Sequence, residues 1–130
     1  MKLLLDTNTL IWLIGRTDGK PLGPQAVQNI QAAEVVYVSS VSILEIRIKT
    51  MLGKLAFDDD LIEDIMAAGV KELSFGLSHA DAIRDFPALS RHDPFDRMLL
   101  AQAKVEKISF LTTDDTLLKL QLPDVIDARQ

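Results

Sequence analysis

Four acidic residues that are far apart in the sequence stand at predicted strand ends or in predicted helices, where one fold can bring them together. They are Asp6, Glu45, Asp96 and Asp114. Carboxylates that share a cleft repel each other unless a multivalent cation neutralises their charge, and Mg²⁺ prefers oxygen ligands of this kind. The four residues therefore indicate a metal-dependent enzyme that acts on phosphodiesters.

Each of these acids also has an ordinary structural explanation. Asp6 follows the strand-like run at 2–5 and could cap the next helix, whereas Glu45 could pair with Lys49 four residues later. However, the helix around Glu45 is mostly apolar, and a buried carboxylate requires a partner. Independent coincidences at one edge of one sheet explain the pattern less well than a single shared site.

The densest group of charges is the segment 93–97, Asp-Pro-Phe-Asp-Arg. Asp93 is well placed as a helix N-cap with Pro94 in the first turn, and Asp96 then lies near the positive end of the helix. Arg97 would either pair with Asp93 or orient a catalytic carboxylate. The segment therefore combines a strong helix start with a candidate ligand.

A pair of adjacent acids, Asp114 and Asp115, follows the strand-like run at 108–111. One of them can cap the helix that follows, while the other remains in solvent. Their spacing alone leaves open which of the two side chains points into the site.

Strand-like and helix-like segments alternate along the chain. Strands are predicted at 2–6, 35–38, 70–75, 108–112 and 125–126, the last of them at a sheet edge. Helices are predicted at 8–14, 24–33, 40–51, 58–68, 78–84 and 94–107, with a last helix ending near residue 120. This alternation predicts an α/β fold in which an open, mainly parallel sheet carries helices on both faces. Functional residues collect at the carboxyl ends of the strands in such sheets.

Composition limits the class of protein. A chain of 130 residues with 48% hydrophobic residues fits one domain over residues 1–130. The net charge of −5 argues against a general nucleic-acid coat, but bound divalent ions would reverse the local field at an enzyme site. The absence of cysteine excludes disulfides, thiol catalysis and cysteine-bound zinc. No run approaches the roughly 20 apolar residues of a membrane span, so we expect a soluble cytoplasmic protein.

The two histidines, His79 and His92, have no evident catalytic partner in the sequence. We therefore expect both to be surface residues, and the chemistry to be carried by carboxylates.

Several segments match a known family in order along the chain. They are Leu-Leu-Asp-Thr-Asn-Thr-Leu-Ile-Trp at 4–12, Val-Ser-Ser-Val-Ser-Ile-Leu-Glu-Ile at 38–46, Gly-Lys-Leu at 53–55, Asp-Pro-Phe-Asp-Arg at 93–97 with Leu-Ala-Gln-Ala at 100–103, and Leu-Thr-Thr-Asp at 111–114. Together they resemble the PIN-domain ribonucleases, most closely the VapC toxins of type II toxin–antitoxin systems. The resemblance covers nearly the whole chain and implies a PIN-like α/β/α domain.

The resemblance implies a role for each matching residue. Asp6, Glu45, Asp96 and Asp114 match the acidic quartet that holds Mg²⁺ or Mn²⁺. Thr112 matches the hydroxyl residue before the last acid, and Asn8 a polar residue close to the first. The implied activity is hydrolysis of an RNA phosphodiester by metal-activated water, leaving a 5′-phosphate, and Arg97 is a further candidate for contact with the substrate.

The resemblance also implies partners. A homodimer and a cognate VapB-like antitoxin are expected, with an antitoxin segment that fills a groove and places a basic residue against the carboxylates. Trp12, Met51, Phe57 and Met66 are possible groove residues, although packing in the core is the favoured interpretation for each.

Two alternative functions belong to other classes of protein. A phospho-accepting receiver domain is also a small α/β protein with clustered acids, but it requires paired acids after its first strand and a lysine after its last, and neither is present. A PIN-like scaffold that only binds partners is disfavoured by the intact quartet.

Overall fold

A computed structural model describes residues 1–15, 22–57 and 60–130, and within them five strands form a single sheet. The strands are β1 (Lys2–Leu5), β2 (Val35–Ser39), β3 (Lys71–Leu73), β4 (Ser109–Thr112) and β5 (Val125–Asp127). Their order is β3-β2-β1-β4-β5, and every neighbouring pair is parallel. The predicted open parallel sheet is therefore confirmed, with β5 at one edge as expected.

Seven α-helices connect or flank these strands in the described residues. They are α1 (Thr7–Leu13), α2 (Pro24–Ala32), α3 (Ser40–Met51), α4 (Leu61–Ala67), α5 (Leu77–Asp81), α6 (Pro94–Glu106) and α7 (Asp115–Lys119). Two short 3₁₀ turns, Ala82–Asp85 and Pro87–Leu89, lie between α5 and α6. None of these helices combines the length and apolar character needed to cross a membrane.

Successive strand residues point to opposite faces of the sheet, so both faces carry apolar side chains that pack against helices. Leu5 and Leu111 are paired in register and belong to one hydrophobic cluster, which includes Ile46 of α3. Leu4 and Phe110 are also paired, but they belong to a second cluster. Leu99 of α6 and Leu117 of α7 complete that second cluster. The sheet thus separates two cores, as expected for an α/β/α arrangement.

The order of the strands places a switch point between β1 and β4. The chain extends from β1 through β2 to β3 on one side, and β4 and β5 lie on the other side of β1. Ligands in open α/β sheets bind at such a point, beyond the carboxyl ends of the strands. Receiver domains use the order 2-1-3-4-5 instead, so the strand order also argues against the receiver alternative.

Helix caps confirm several predicted boundaries and correct one. Ser39 caps α3, and Asp93 caps α6 with Pro94 in its first turn. The structure describes α4 only from Leu61, after Asp60, and the predicted start at 58 lies outside the described residues. The predicted cap at Ser78 is wrong, because α5 begins one residue earlier at Leu77.

Close packing of the C-terminal segment leads to a stability prediction at Gly23. Gly23 N donates to Ala128 O over 3.0 Å, and a Cβ at Gly23 would overlap the backbone of Arg129 and Gln130. We expect Gly23→Ala to lower the free energy of unfolding by about 1–3 kcal/mol, measured by urea denaturation. Gly76→Ala is the matched control, because its Cβ would meet only a His79 ring atom at 3.8 Å. Equal stability of both variants would contradict the prediction.

Candidate metal centre

Asp6 lies directly after β1, and its carboxylate is held rigidly. Oδ1 accepts a hydrogen bond from Thr9 N at 2.7 Å, as the N-cap of α1. Oδ2 accepts from Thr112 Oγ1 at 2.6 Å and from Thr113 N at 3.0 Å. Burial raises the pKa of the Asp6 carboxyl above its ordinary value, although these hydrogen bonds oppose the shift. Asp6 is therefore both a helix cap and a fixed carboxylate at the switch point.

Glu45 is buried on α3 and is held by two neighbours. Thr7 Oγ1 donates to Glu45 Oε1 over 2.6 Å, and Lys49 forms an ion pair with Oε2. Burial alone would lower the pKa of Lys49, but its contact with Glu45 and the nearby charges of Asp93 and Asp96 together raise it. Asn8 is exposed, whereas its neighbour Thr7 is buried and contacts Glu45. Thr7 therefore supports Glu45, whereas Asn8, which the resemblance places close to Asp6, remains a predicted supporting residue.

Thr112 links the first and last acids of the site. It is fully buried at the end of β4, and its hydroxyl donates to Asp6 while accepting from Asp114 N at 3.0 Å. One side chain therefore fixes the strand end at β1 relative to the segment that carries Asp114. Thr112 therefore contacts both Asp6 and Asp114, and its supporting role at the site stays a prediction.

The choice between the two adjacent acids after β4 is decided by their contacts. Asp114 caps α7 through a 2.9 Å hydrogen bond from Leu117 N to Oδ1, and its Oδ2 lies 3.2 Å from His92 Nε2. Asp115 instead pairs with Arg129 at 2.9 Å and is exposed. Asp114 is therefore the acid that faces the other candidate residues.

The carboxylate of Asp96, in the first turn of α6, has a strongly raised pKa. Its pKa rises to about 8, first because of burial and then because of repulsion from Asp93, Asp114, Asp6 and Glu45. The other three predicted acids, Asp6, Glu45 and Asp114, thus all repel the charge of Asp96. A proton or a cation relieves this repulsion.

His92 was predicted to be a surface residue without a partner, and that prediction is wrong. Its Nε2 lies 3.2 Å from Asp114 Oδ2 and 3.5 Å from Asp96 Oδ2, and its side chain is only 20% exposed. A sequence signal was available, since His92 stands directly before the cap of α6 and four residues before Asp96. The contact with Asp114 depends on packing, because Asp114 lies on the segment after β4.

His79 was also predicted to lie on the surface, and it is buried. Its Nδ1 accepts from Gly76 N at 2.8 Å, and its Nε2 lies 3.4 Å from Glu106 Oε2. The Nδ1 contact closes the start of α5 and the Nε2 contact joins α5 to α6, so both ring nitrogens have a structural role.

Arg97 makes a contact that neither interpretation of the sequence anticipated. Its Nη1 donates to the backbone oxygen of Ser90 over 3.2 Å, which ties α6 to the loop before it. Asp93, its proposed partner, accepts from Phe95 N at 2.8 Å as the helix cap. Arg97 thus supports the segment that carries His92 and Asp93.

The donor set fits a divalent cation. Carboxylate oxygens come from both sides of the switch point, and the donor atoms of His92, Asp96 and Asp114 lie within 4.8 Å of one another. His92 Nε2 is inaccessible to solvent and forms no hydrogen bond with any described residue. A cation bound here would relieve the repulsion around Asp96 and would give the His92 nitrogen a direct bond.

A separate apolar surface lies between α3 and α4, and we call it the α3–α4 groove. Its volume is about 710 Å³, and its apolar lining comes mainly from Val38, Ile43, Leu44, Ile62, Ile65, Met66 and Val70. Core packing was predicted for Met51 and Met66, but they are 86% and 70% exposed. Trp12 and Phe57 do pack against the core, as predicted.

Comparison with solved structures shows the same fold in several complexes. VapBC2 from Rickettsia felis, bound to a DNA fragment from its promoter, has a TM-score of 0.66 and 15% identity over 98% of this chain and 97% of that chain. DNA-bound VapBC from Salmonella typhimurium has a TM-score of 0.61 and 18% identity over 98% and 96%. FitAcB from Neisseria gonorrhoeae has a TM-score of 0.61 and 19% identity over 96% and 95%.

Sequence comparison identifies the family. No curated protein matches this sequence significantly. The profile of the PIN domain, however, matches residues 3–121, which include all four acids. PIN-domain toxins are nucleases. The resemblance inferred from the motifs is thereby confirmed, and the chain belongs to the PIN-domain family.

Proposed function

We propose that this protein is a VapC-like toxin, a Mg²⁺- or Mn²⁺-dependent endoribonuclease that acts in the cytoplasm and is inhibited by a cognate antitoxin. The observation that carries the proposal is the convergence of Asp6, Glu45 and Asp114 on Asp96, whose pKa is raised to about 8 by burial and then by repulsion from these acids and Asp93. Repulsion among clustered carboxylates lowers the stability of the folded state, and a bound divalent cation would neutralise their charge.

The proposed reaction is hydrolysis of an RNA phosphodiester. A water oxygen forms a bond to phosphorus, and the bond from phosphorus to the 3′ oxygen of the preceding nucleotide breaks. That 3′ oxygen takes a proton, so the products carry a 3′-hydroxyl and a 5′-phosphate. A bound divalent cation supplies Lewis-acid polarisation of the phosphate and lowers the pKa of the attacking water.

The four acidic residues would hold the cation. Asp6 supplies a carboxylate fixed by three hydrogen bonds, which suits a ligand that must not move. Asp96, Asp114 and Glu45 supply further oxygens around it.

Lys49 is the candidate contact for a substrate phosphate. Its ammonium group is paired with Glu45 and feels the charges of Asp93 and Asp96, so it lies beside the acidic cluster. A compact ammonium group serves as a point charge for phosphate.

Removal of metal tests the activity directly. Purified protein is incubated with a pool of structured RNAs and Mn²⁺ or Mg²⁺, with and without EDTA. We expect cleavage only with the divalent ion, and we expect the new 5′ ends to serve as donors for an RNA ligase that requires a 5′-phosphate. Cleavage that persists in EDTA, or fragments with 5′-hydroxyl ends, would contradict the proposed chemistry.

The α3–α4 groove is the proposed docking site for the antitoxin. Leu44, Ile62 and Met66 expose apolar surface there, and α3 also carries Glu45 of the acidic site. An amphipathic segment laid in the groove could therefore reach the carboxylates with a basic residue. The similar folds in toxin–antitoxin complexes support an antitoxin as the occupant.

Disruption of the groove should release the toxin from its antitoxin. Met66→Glu is expected to weaken binding of a co-expressed cognate antitoxin by about 30-fold or more, since a central apolar contact is worth about 2 kcal/mol. The measurement is titration calorimetry of the purified partners. Leu77→Glu is the control, because Leu77 is 92% exposed and does not line the groove. Equal affinity of the Met66 variant and the parent would rule out this docking site.

The proposed homodimer has its own test. Sedimentation equilibrium is expected to give twice the 14.4 kDa mass of one chain. A single-chain mass at micromolar concentration would exclude the homodimer without touching the nuclease proposal.

A further inference from the structure

The acidic cluster contains a nitrogen donor that the family resemblance did not supply. His92 Nε2 lies between the carboxylates of Asp96 and Asp114, at 3.5 Å and 3.2 Å. His92 stands on the loop before α6, which Asp93 caps and which Arg97 ties to Ser90. The imidazole is therefore held at the site by the start of the same helix that carries Asp96.

The Nε2 nitrogen of His92 is buried and forms no hydrogen bond within the part of the chain that the structure describes. Its surface is inaccessible to solvent, and none of the described residues forms a hydrogen bond with it. A buried polar atom without a hydrogen bond destabilises the folded state, so its position needs an explanation. The two nearby carboxylates lie at ion-pair distance, but their geometry does not satisfy the nitrogen.

The spacing of the three donor atoms suits one cation. Two ligands on opposite sides of an ion are about 4 Å apart when each bond is about 2.1 Å long, and adjacent ligands are about 3 Å apart. The donor atoms of His92, Asp96 and Asp114 lie within 4.8 Å of one another. All three side chains are about 20% exposed, so small rotations can close the remaining gap.

We infer that His92 Nε2 is a direct ligand of the divalent cation, together with Asp96 and Asp114, and that this nitrogen biases the site towards Mn²⁺ over Mg²⁺. The inference rests on the proposed metal-dependent function. Imidazole suits transition metals, whereas Mg²⁺ favours oxygen ligands, so a mixed nitrogen and carboxylate set shifts selectivity towards the transition metal.

The alternative role for His92 makes the opposite prediction. A histidine that only balances the charge of Asp96 and Asp114 would compete with the cation, and its removal would strengthen metal binding. A ligand behaves in the reverse way, because its removal deletes a bond to the ion. The sign of the change in affinity therefore separates the two roles.

Calorimetric titration with Mn²⁺ and Mg²⁺ measures that sign. We expect His92→Gln to weaken Mn²⁺ binding by at least about tenfold, since even residues behind metal ligands contribute about 10- to 100-fold. Mg²⁺ binding should change less. Arg91→Gln is the matched control, because it removes an exposed charge from the adjacent position and should leave both affinities unchanged. Equal or tighter Mn²⁺ binding by His92→Gln overturns the inference.

Pulsed electron paramagnetic resonance of bound Mn²⁺ provides a readout on the intact parent protein. We expect modulation from an imidazole ¹⁴N, which changes when histidine is labelled with ¹⁵N. His79 is the other histidine, and both its nitrogens are engaged by Gly76 and Glu106. Mn²⁺ bound without nitrogen modulation overturns the ligand role while leaving the proposed function intact. Failure of the parent to bind Mn²⁺ at all overturns the proposed function and this inference with it.

Discussion

Asp96→Asn is expected to reduce RNA cleavage by more than about 100-fold at saturating Mn²⁺. The amide keeps the shape of the side chain but removes a negative ligand from the centre of the cluster. Residues that merely support metal ligands contribute about 10- to 100-fold, so loss of a ligand should exceed that range. The measurement is the initial rate of cleavage of a structured RNA under single-turnover conditions.

Asp115→Asn is the matched control for this loss. Asp115 is also acidic and lies next to Asp114, but it pairs with Arg129 and is exposed. Its variant should cleave RNA at the parental rate. An Asp96 variant that cleaves as fast as the parent would contradict the site assignment, and so would a loss of activity in the Asp115 variant.

The same Asp96→Asn change should stabilise the protein when metal is absent. The folded-state pKa of Asp96 is about 8, well above the ordinary value of 3.8. Between these values the folded chain binds more protons than the unfolded chain, so stability falls as the pH rises from about 4 to about 8. Asparagine does not ionise and avoids this loss. We expect a gain of about 2 kcal/mol or more at pH 8, and a Tm higher by at least about 5 °C.

Thermal unfolding of both proteins in EDTA at pH 5 and pH 8 measures this effect. The difference in Tm between variant and parent should be large at pH 8 and should shrink towards pH 5, where Asp96 of the parent is protonated. Saturating Mn²⁺ should raise the Tm of the parent more than that of the variant, because binding to the folded state stabilises it. A variant that is less stable than the parent at pH 8 would show that the acids do not repel each other.

The two results together separate chemistry from folding. A variant that is more stable yet inactive cannot owe its inactivity to misfolding. Active sites often hold groups that lower stability, and replacement of such a group exchanges function for stability.

Much of the scaffold was predictable because local signals agree with the final fold. Serine and aspartate commonly cap a helix where a strand or loop leads into it. Ser39 and Asp93 both do so here. Alternation of strands and helices implied a parallel sheet, and parallel strands bring Asp6 and Thr112 to the same edge. The clustering of the four acids follows from that topology.

The contacts that the sequence did not reveal depend on how elements pack against each other. Thr7 and Asn8 are neighbours of similar polarity, and only the orientation of α1 against α3 decides that Thr7 reaches Glu45. Core packing was the favoured interpretation for Met66 as an apolar residue, but its side chain on α4 is 70% exposed. His92 was missed for the same reason, since its partner Asp114 is supplied by a different strand.

Anomalous X-ray diffraction from crystals soaked in Mn²⁺ tests the central claim most directly. We predict an anomalous peak at the manganese edge in contact with Asp6, Asp96 or Asp114, and the loss of that peak in the Asp96→Asn variant. A parent crystal at saturating Mn²⁺ with no peak among these carboxylates, or with a peak only at another place on the surface, would contradict the claim that this cleft is built around a divalent cation.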